Sequence, residues 1–253
     1  MNFNVVQALT YIKEEKNWIV KVLIMYIFIL ITGSIEYIIS LVKSPLFTVF
    51  GQDWILANLD HIVPLLYTFY GFAIIFIIGY FTALANNRIY KFENNLLSWK
   101  DAPRFFLTGL KGCIFLTIAA LPLVAIFFAT AKIISVKILL YSAISAFILS
   151  LFIGLYYSIA YPIFCSTLKF KSFFNLSSIK KVITENKNSY LLYLFTVIGM
   201  MTVTSASATF LGIIPYVGVF IAALIKTFAS FVITDIISQF MANIIKIEKS
   251  TEA

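Results

Sequence analysis

Six long apolar runs, at about residues 18–42, 62–85, 112–133, 137–162, 190–211 and 216–245, divide the chain, and the segments between them are alternately rich and poor in Lys and Arg. Each run holds about 20 or more mostly apolar residues, and a helix rising about 1.5 Å per residue then covers the roughly 30 Å hydrocarbon core of a bilayer. Helices follow because lipid offers no partner to an open backbone N–H or C=O. A transmembrane barrel needs short alternating segments, whereas Val20 to Ile31 and Ile74 to Phe81 are almost unbroken apolar stretches. The expected fold is all-α: a polytopic transmembrane helix bundle of six spans, forming a single integral membrane domain over residues 1–253. Composition excludes the soluble alternative, because 61% hydrophobic and 12% charged residues, with a mean hydropathy of +0.98, leave too little polar surface to cover a globule in water.

Counting basic residues gives the orientation. Fifteen of the 19 Lys and Arg fall on one side, in the flanks around Lys13, Arg88, Lys181 and Lys246, while the other side receives Lys43, Lys132 and Lys137, and Lys226 lies within the last run. Basic short loops stay cytoplasmic. The expectation is a multi-pass plasma-membrane protein with both termini inside. Topology and attraction to anionic lipid headgroups account for the net charge of +8, and no nucleic-acid-binding module is present to claim it. The first run reads as a retained anchor, since it is long, follows the mixed-charge stretch Lys13-Glu14-Glu15-Lys16 and lacks a small-x-small exit site. Cys113 and Cys165 fall at cytoplasmic ends of runs, far apart, and read as small buried hydrophobes.

Three amphipathic segments precede spans on the basic side, at about 4–17, 101–111 and 173–187. Asp101 is available as an N-cap with Pro103 in the first turn. Beyond it Arg104, Thr108 and Lys111 share one side of a helix, and Ala102, Phe106, Leu110 and Cys113 the other, so this helix is expected to lie flat among headgroups. In the third segment Phe173, Leu176, Ile179 and Ile183 fall together, with Ser178, Lys181 and Glu185 facing away. Ile12-Lys13-Glu14-Glu15-Lys16-Asn17 lines up with Ile183-Thr184-Glu185-Asn186-Lys187-Asn188, which fits a unit of interfacial helix plus membrane hairpin used three times in parallel orientation.

Gly79-Tyr80, Asn86-Asn87-Arg88, Leu97-Ser98-Trp99-Lys100-Asp101 and Phe105-Phe106-Leu107-Thr108-Gly109-Leu110-Lys111 together carry a family likeness, to which Ile214-Pro215-Tyr216-Val217-Gly218 adds. The chain resembles a family of bacterial and archaeal integral membrane proteins catalogued as a domain of unknown function, number four-zero-one-three. Leu96-Leu97 stands where that family usually has Leu-Pro. The resemblance implies a six-helix membrane protein and brings no catalytic or binding residues with it.

Chemistry within the spans is sparse. Glu36, Lys226 and Asp235 are the ionisable residues inside runs, and a charge at a helix centre costs about 2.5 to 3.5 kcal/mol on insertion scales, so each should face protein or water. Lys226 and Asp235, two and a half turns apart, point to opposite faces; Glu36 and Lys226 lie at similar depth and are the expected pair, unless both simply snorkel to the interface. Small and polar residues recur every fourth position at Ser142, Ala146, Ser150, Gly154 and Ser158, and at Gly218, Ala222, Lys226, Ser230, Thr234 and Ser238. Close helix crossing is the first explanation of such rows. A polar path along Ser230, Thr234, Asp235 and Ser238, extended by Thr202, Thr204, Ser205, Ser207 and Thr209, is the functional one. Pro122 in mid-span would free carbonyls in either case. His61 has no companion at ligand spacing, and paired carboxylates, a nucleophile with its base and Gly-rich phosphate loops are absent, so no metal site, cofactor or catalytic residue is expected. The leading reading is a non-enzymatic membrane component that assembles with itself or a membrane partner in a transport or export setting. The alternatives are a small solute or ion carrier or channel, and, last, an intramembrane lipid-acting enzyme.

Overall fold

The computed structural model describes residues 17–42, 59–91, 96–130, 136–211, 214 and 217–251. Among them six helices are long and apolar enough to cross a membrane: α1 Trp18–Val42, α2 Leu59–Lys91, α3 Ala102–Thr130, α4 Val136–Thr167, α6 Lys187–Leu211 and α7 Val217–Thr251. A short helix, α5 Leu176–Glu185, precedes α6, and 3-10 turns at Trp99–Asp101 and Phe170–Phe174 lead into α3 and α5. No strand occurs among the described residues, so the bundle is all-α and each of the six apolar runs is one long helix. Phe127, Phe128, Phe195 and Phe210 are 68 to 72% exposed, as side chains facing lipid are.

Lipid tails are as apolar as leucine, so helices in a bilayer associate through close packing and hydrogen bonds rather than through the hydrophobic effect. The closest packing is between α2 and α3. A Cβ on Gly79 would fall onto the Phe105 carbonyl and 2.9 Å from the Gly109 nitrogen; one on Gly109 would meet the Ile75 carbonyl and lie 2.9 Å from the Gly79 nitrogen. Only a pair of glycines lets the two backbones touch in this way. Around that crossing α2 also packs on α1, α4 and α7, which places it at the centre of the bundle. Aromatic rings fill the rest: Phe173 stacks on Phe115 and Phe164 with centroids 3.9 and 4.3 Å away, Tyr193 on Phe240 at 4.4 Å, and Trp99 on Tyr80 at 5.4 Å.

Burial is uneven along the helices. The run Tyr80–Ala85 of α2 is wholly buried, as are Ile159, Ala160 and 162–166 of α4 and 231–232 and 234–238 of α7, all in the halves adjoining the basic segments. Beyond Phe115 in α3, before Ile159 in α4 and beyond Tyr193 in α6, no described side chain is buried. The bundle is closed at its basic end; toward the other end α3, α4 and α6 splay, while α1 and α7 stay packed together with Ile35, Ala223 and Thr227 buried.

Two expectations for the basic side change. Residues 102–130 form one continuous helix, so the 101–111 segment is the first turns of α3 and not a separate flat helix. Its packed face is Phe105, Thr108, Gly109 and Gly112, not the Phe106 and Leu110 side, because the small residues are what admit α2; Leu110 is exposed. Asp101 closes the preceding 3-10 turn, where the Ser98 hydroxyl accepts from the Lys100 N–H (3.3 Å). The segment at 173–187 does contain a separate amphipathic helix, α5, with Ile179 and Val182 buried and Lys180 exposed, although Leu176 is exposed as well. The segment at 4–17 lies outside the described residues apart from Asn17; of the two hairpin units whose preceding segments are described, one has a separate interfacial helix, α5.

Candidate functional site

Above the closed end, α2, α4, α6 and α7 diverge around a cavity of about 590 Å³ whose walls are mainly Ile, Leu, Val and Phe. The small-residue row of α4 reaches it: Ser150, Gly154 and Ser158 all line the wall. Close helix crossing is not their role within this chain, since a Cβ on Gly154 would meet nothing within 4 Å. From α7, Ser230 and Thr234 face the same space, and their hydroxyls donate back along the helix to Lys226 O (2.8 Å) and Ser230 O (2.7 Å). That habit of Ser and Thr in apolar helices leaves only lone pairs on offer. Tyr161 at the floor shares a hydrogen bond with buried Thr82 (2.9 Å). The Tyr157 hydroxyl, like that of Tyr193 on the same wall, has no hydrogen-bond partner among the described residues.

Asp235 turns away from this cavity. Its carboxylate accepts from Arg88 of α2 and, at 2.7 Å, from the Gln239 amide one turn further along α7; Arg88 and Asp235 are 6% and 8% exposed. Asp235 is the nineteenth residue of α7, about 27 Å from its start at 1.5 Å per residue, which puts it near the basic-side boundary of the hydrocarbon core rather than at its centre. Ser238 also faces α2, donating to Thr234 O (2.7 Å) with Ala85 O at 3.4 Å. The six candidate residues therefore separate. Ser230 and Thr234 line the cavity, Asp235 and Ser238 belong to the α2–α7 contact, and Glu36 and Lys226 are exposed. Glu36 accepts a hydrogen bond from the Tyr70 hydroxyl (2.8 Å), and among the described residues no ion pair joins it to Lys226. Thr202, Thr204, Ser205, Ser207 and Thr209 lie beyond Met201, the last α6 residue on the cavity wall.

The floor is laced to the basic side by side chains that satisfy helix ends. The last carbonyls of a helix have no intrahelical donor, and at the end of α4 the Asn86 amide supplies one to both Cys165 O (2.8 Å) and Ser166 O (2.9 Å). Lys111 reaches Leu168 O (3.2 Å), a cation at the negative end of the helix dipole. Leu168 adopts φ 53° there, a left-handed cap without glycine, with its N–H on Phe164 O (2.7 Å). Tyr156 donates to the Phe173 carbonyl, Tyr190 pairs with Ser158 (3.0 Å), and Lys21 of α1 donates to Leu96 O (2.7 Å).

Arg88, Asn86, Thr82 and Tyr161 were not singled out by reasoning from the sequence as parts of one polar layer. The signal for Arg88 is the row Tyr80, Leu84, Arg88, every fourth residue and all buried, which appears once α2 is continued through Asn86 and Asn87. His61 stands exposed in the first turns of α2, and among the described residues no three metal-capable side chains gather. The family model described as "Protein of unknown function (DUF4013)" matches residues 62–225, well over half of the chain. The chain belongs to this family. The match takes in α2 to α6 and the first turns of α7, so within this DUF4013 protein Arg88 lies inside the matched region and Asp235 beyond it. No curated protein and no solved structure matches the chain.

Proposed function

We propose that this DUF4013 protein is a non-enzymatic plasma-membrane component, with both termini cytoplasmic, that assembles with a second copy of itself or another membrane protein, as an accessory subunit of a transport or export assembly does. The observation that carries the reading is the wall of α4: Ser150, Gly154 and Ser158 face a 590 Å³ cavity and support no close crossing inside the chain. A partner helix can approach closely over such residues, with side chains entering the cavity and one polar group reaching Tyr157. The carrier reading has less support. Asp235 is held by Arg88 and Gln239, and the Ser230 and Thr234 hydroxyl protons are committed to α7, so the described residues hold no continuous polar track.

Glycine substitutions separate folding from assembly. Gly154→Leu has open space and is expected to leave the monomer folded, while removing the larger species seen by native mass spectrometry or by disulfide cross-linking through Ser150→Cys. Gly109→Ala, which has no such space, is expected to abolish folded yield altogether. A Gly154→Leu variant with unchanged assembly would sink the proposal, and cation or solute flux lost on Asp235→Asn would favour the carrier.

A further inference from the structure

A second cavity, of about 780 Å³, lies on the other side of the wall made by Leu155 and Leu194, which line both spaces. It is bounded by α3, α4, α5 and α6 and opens outward between them. Its chemistry differs from that of the first. The two tyrosines that border it have their hydroxyls turned elsewhere, Tyr156 to the Phe173 carbonyl and Tyr190 to Ser158, so the lining presents ring faces and aliphatic carbon. A cavity of that kind does not hold ordered water, which needs polar partners. In a bilayer the apolar molecule at hand is an acyl chain.

The rim at the basic end decides which lipid. Phe174, Ile183 and Leu191 line the cavity, and each has a lysine one turn away on the same element: Lys171 at i−3 in the 3-10 turn, Lys180 at i−3 in α5 and Lys187 at i−4 in α6. Residues at those spacings share an edge or face. All three lysines are exposed, and Glu185 is the one acid between Lys171 and Lys187. We infer that this cavity binds one acyl chain of an anionic phospholipid from the basic-side leaflet, with the headgroup phosphate held by Lys171, Lys180 and Lys187. The site is separate from the face proposed for assembly, and it stands or falls without it.

The test uses the full-length protein in nanodiscs carrying a phospholipid with a photoactivatable acyl chain, either phosphatidylglycerol or phosphatidylcholine, followed by peptide mapping. Label is expected on the α4 peptide around Phe152 to Ile159 and on the peptide spanning Ile183 to Leu194, with phosphatidylglycerol favoured on the order of tenfold. Ala119→Trp, which fills the cavity from α3, removes that label. The surface variant Lys180→Glu/Lys187→Glu, which has no packing to lose, keeps the chain label and abolishes the headgroup preference. Equal labelling by the two lipids in the native protein, or a preference that survives the double lysine reversal, overturns the inference.

Discussion

Arg88 and Asp235 set the local energetics where α2 meets α7. Both are buried, each would be costly alone near hydrocarbon, and Gln239 completes the carboxylate's hydrogen bonds. Removing one member of a buried pair strands the other charge and costs about 3 to 5 kcal/mol, while replacing both by apolar groups of similar size is close to neutral. Arg88→Met and Asp235→Leu should therefore each lower the unfolding midpoint in detergent sharply, and the double variant should recover most of the loss. If the double variant proved no more stable than either single one, the two charges would not be coupled. The cost of Asp235 is legible in the sequence, because a carboxylate in an apolar run is conspicuous. Its partner is not, because the second run loses its apolar character at residue 85 while the helix continues to Lys91. Hydropathy measures contact with lipid, and Arg88 has none. Glu36 misleads for the reverse reason: similar depth suggested Lys226, but a hydroxyl on the adjacent helix, Tyr70, was available at hydrogen-bond distance.

At the basic side, side chains from neighbouring elements supplement a helix's own cap. α4 is the clearest case, since two of its terminal carbonyls take both amide protons of Asn86 and a third, just beyond, takes Lys111. Leaving a buried acceptor without its donor costs about 1 to 3 kcal/mol. Asn86→Leu keeps the volume, removes both donors, and should speed amide hydrogen exchange in residues 165–175 while leaving α1 unchanged. Uniform exchange across all helices would mean instead that the variant had loosened the whole bundle. The long helices were legible element by element because each is an apolar run, and α5 because its buried and charged faces alternate with a helical period. The first turns of α3 were misread for a physical reason. The visible amphipathic stripe runs through Phe106 and Leu110, but the face that packs is Phe105 with Thr108, Gly109 and Gly112, and these last three carry little hydrophobicity and act by letting a backbone come near.

At the scale of the whole molecule, one end is a dense core, while at the other α3, α4 and α6 stand apart from a still-packed α1 and α7, and the dense end is the one that carries the basic segments. The two features have a common cause in lipid. Association there depends on glycine contacts, stacked rings and hydrogen bonds, and in this chain Gly79, Gly109, Trp99, Asn86, Arg88 and Phe173 all cluster toward that end. The splayed halves of α4 and α6 then offer their faces to a partner in the other half of the bilayer. This geometry makes sidedness decisive, because it determines which leaflet meets the open end. In the orientation proposed above, with 15 of the 19 basic residues of the sequence assigned to one side, the dense end faces the cytoplasm. In a background lacking Cys113 and Cys165, a membrane-impermeant maleimide applied to intact cells should label Gln52→Cys and leave Asn95→Cys untouched until the membrane is opened. Labelling of both from outside would mean that α2 does not cross. The depth argued for Asp235 and the leaflet assigned to the lysine rim would then fail together, since each is measured from that crossing.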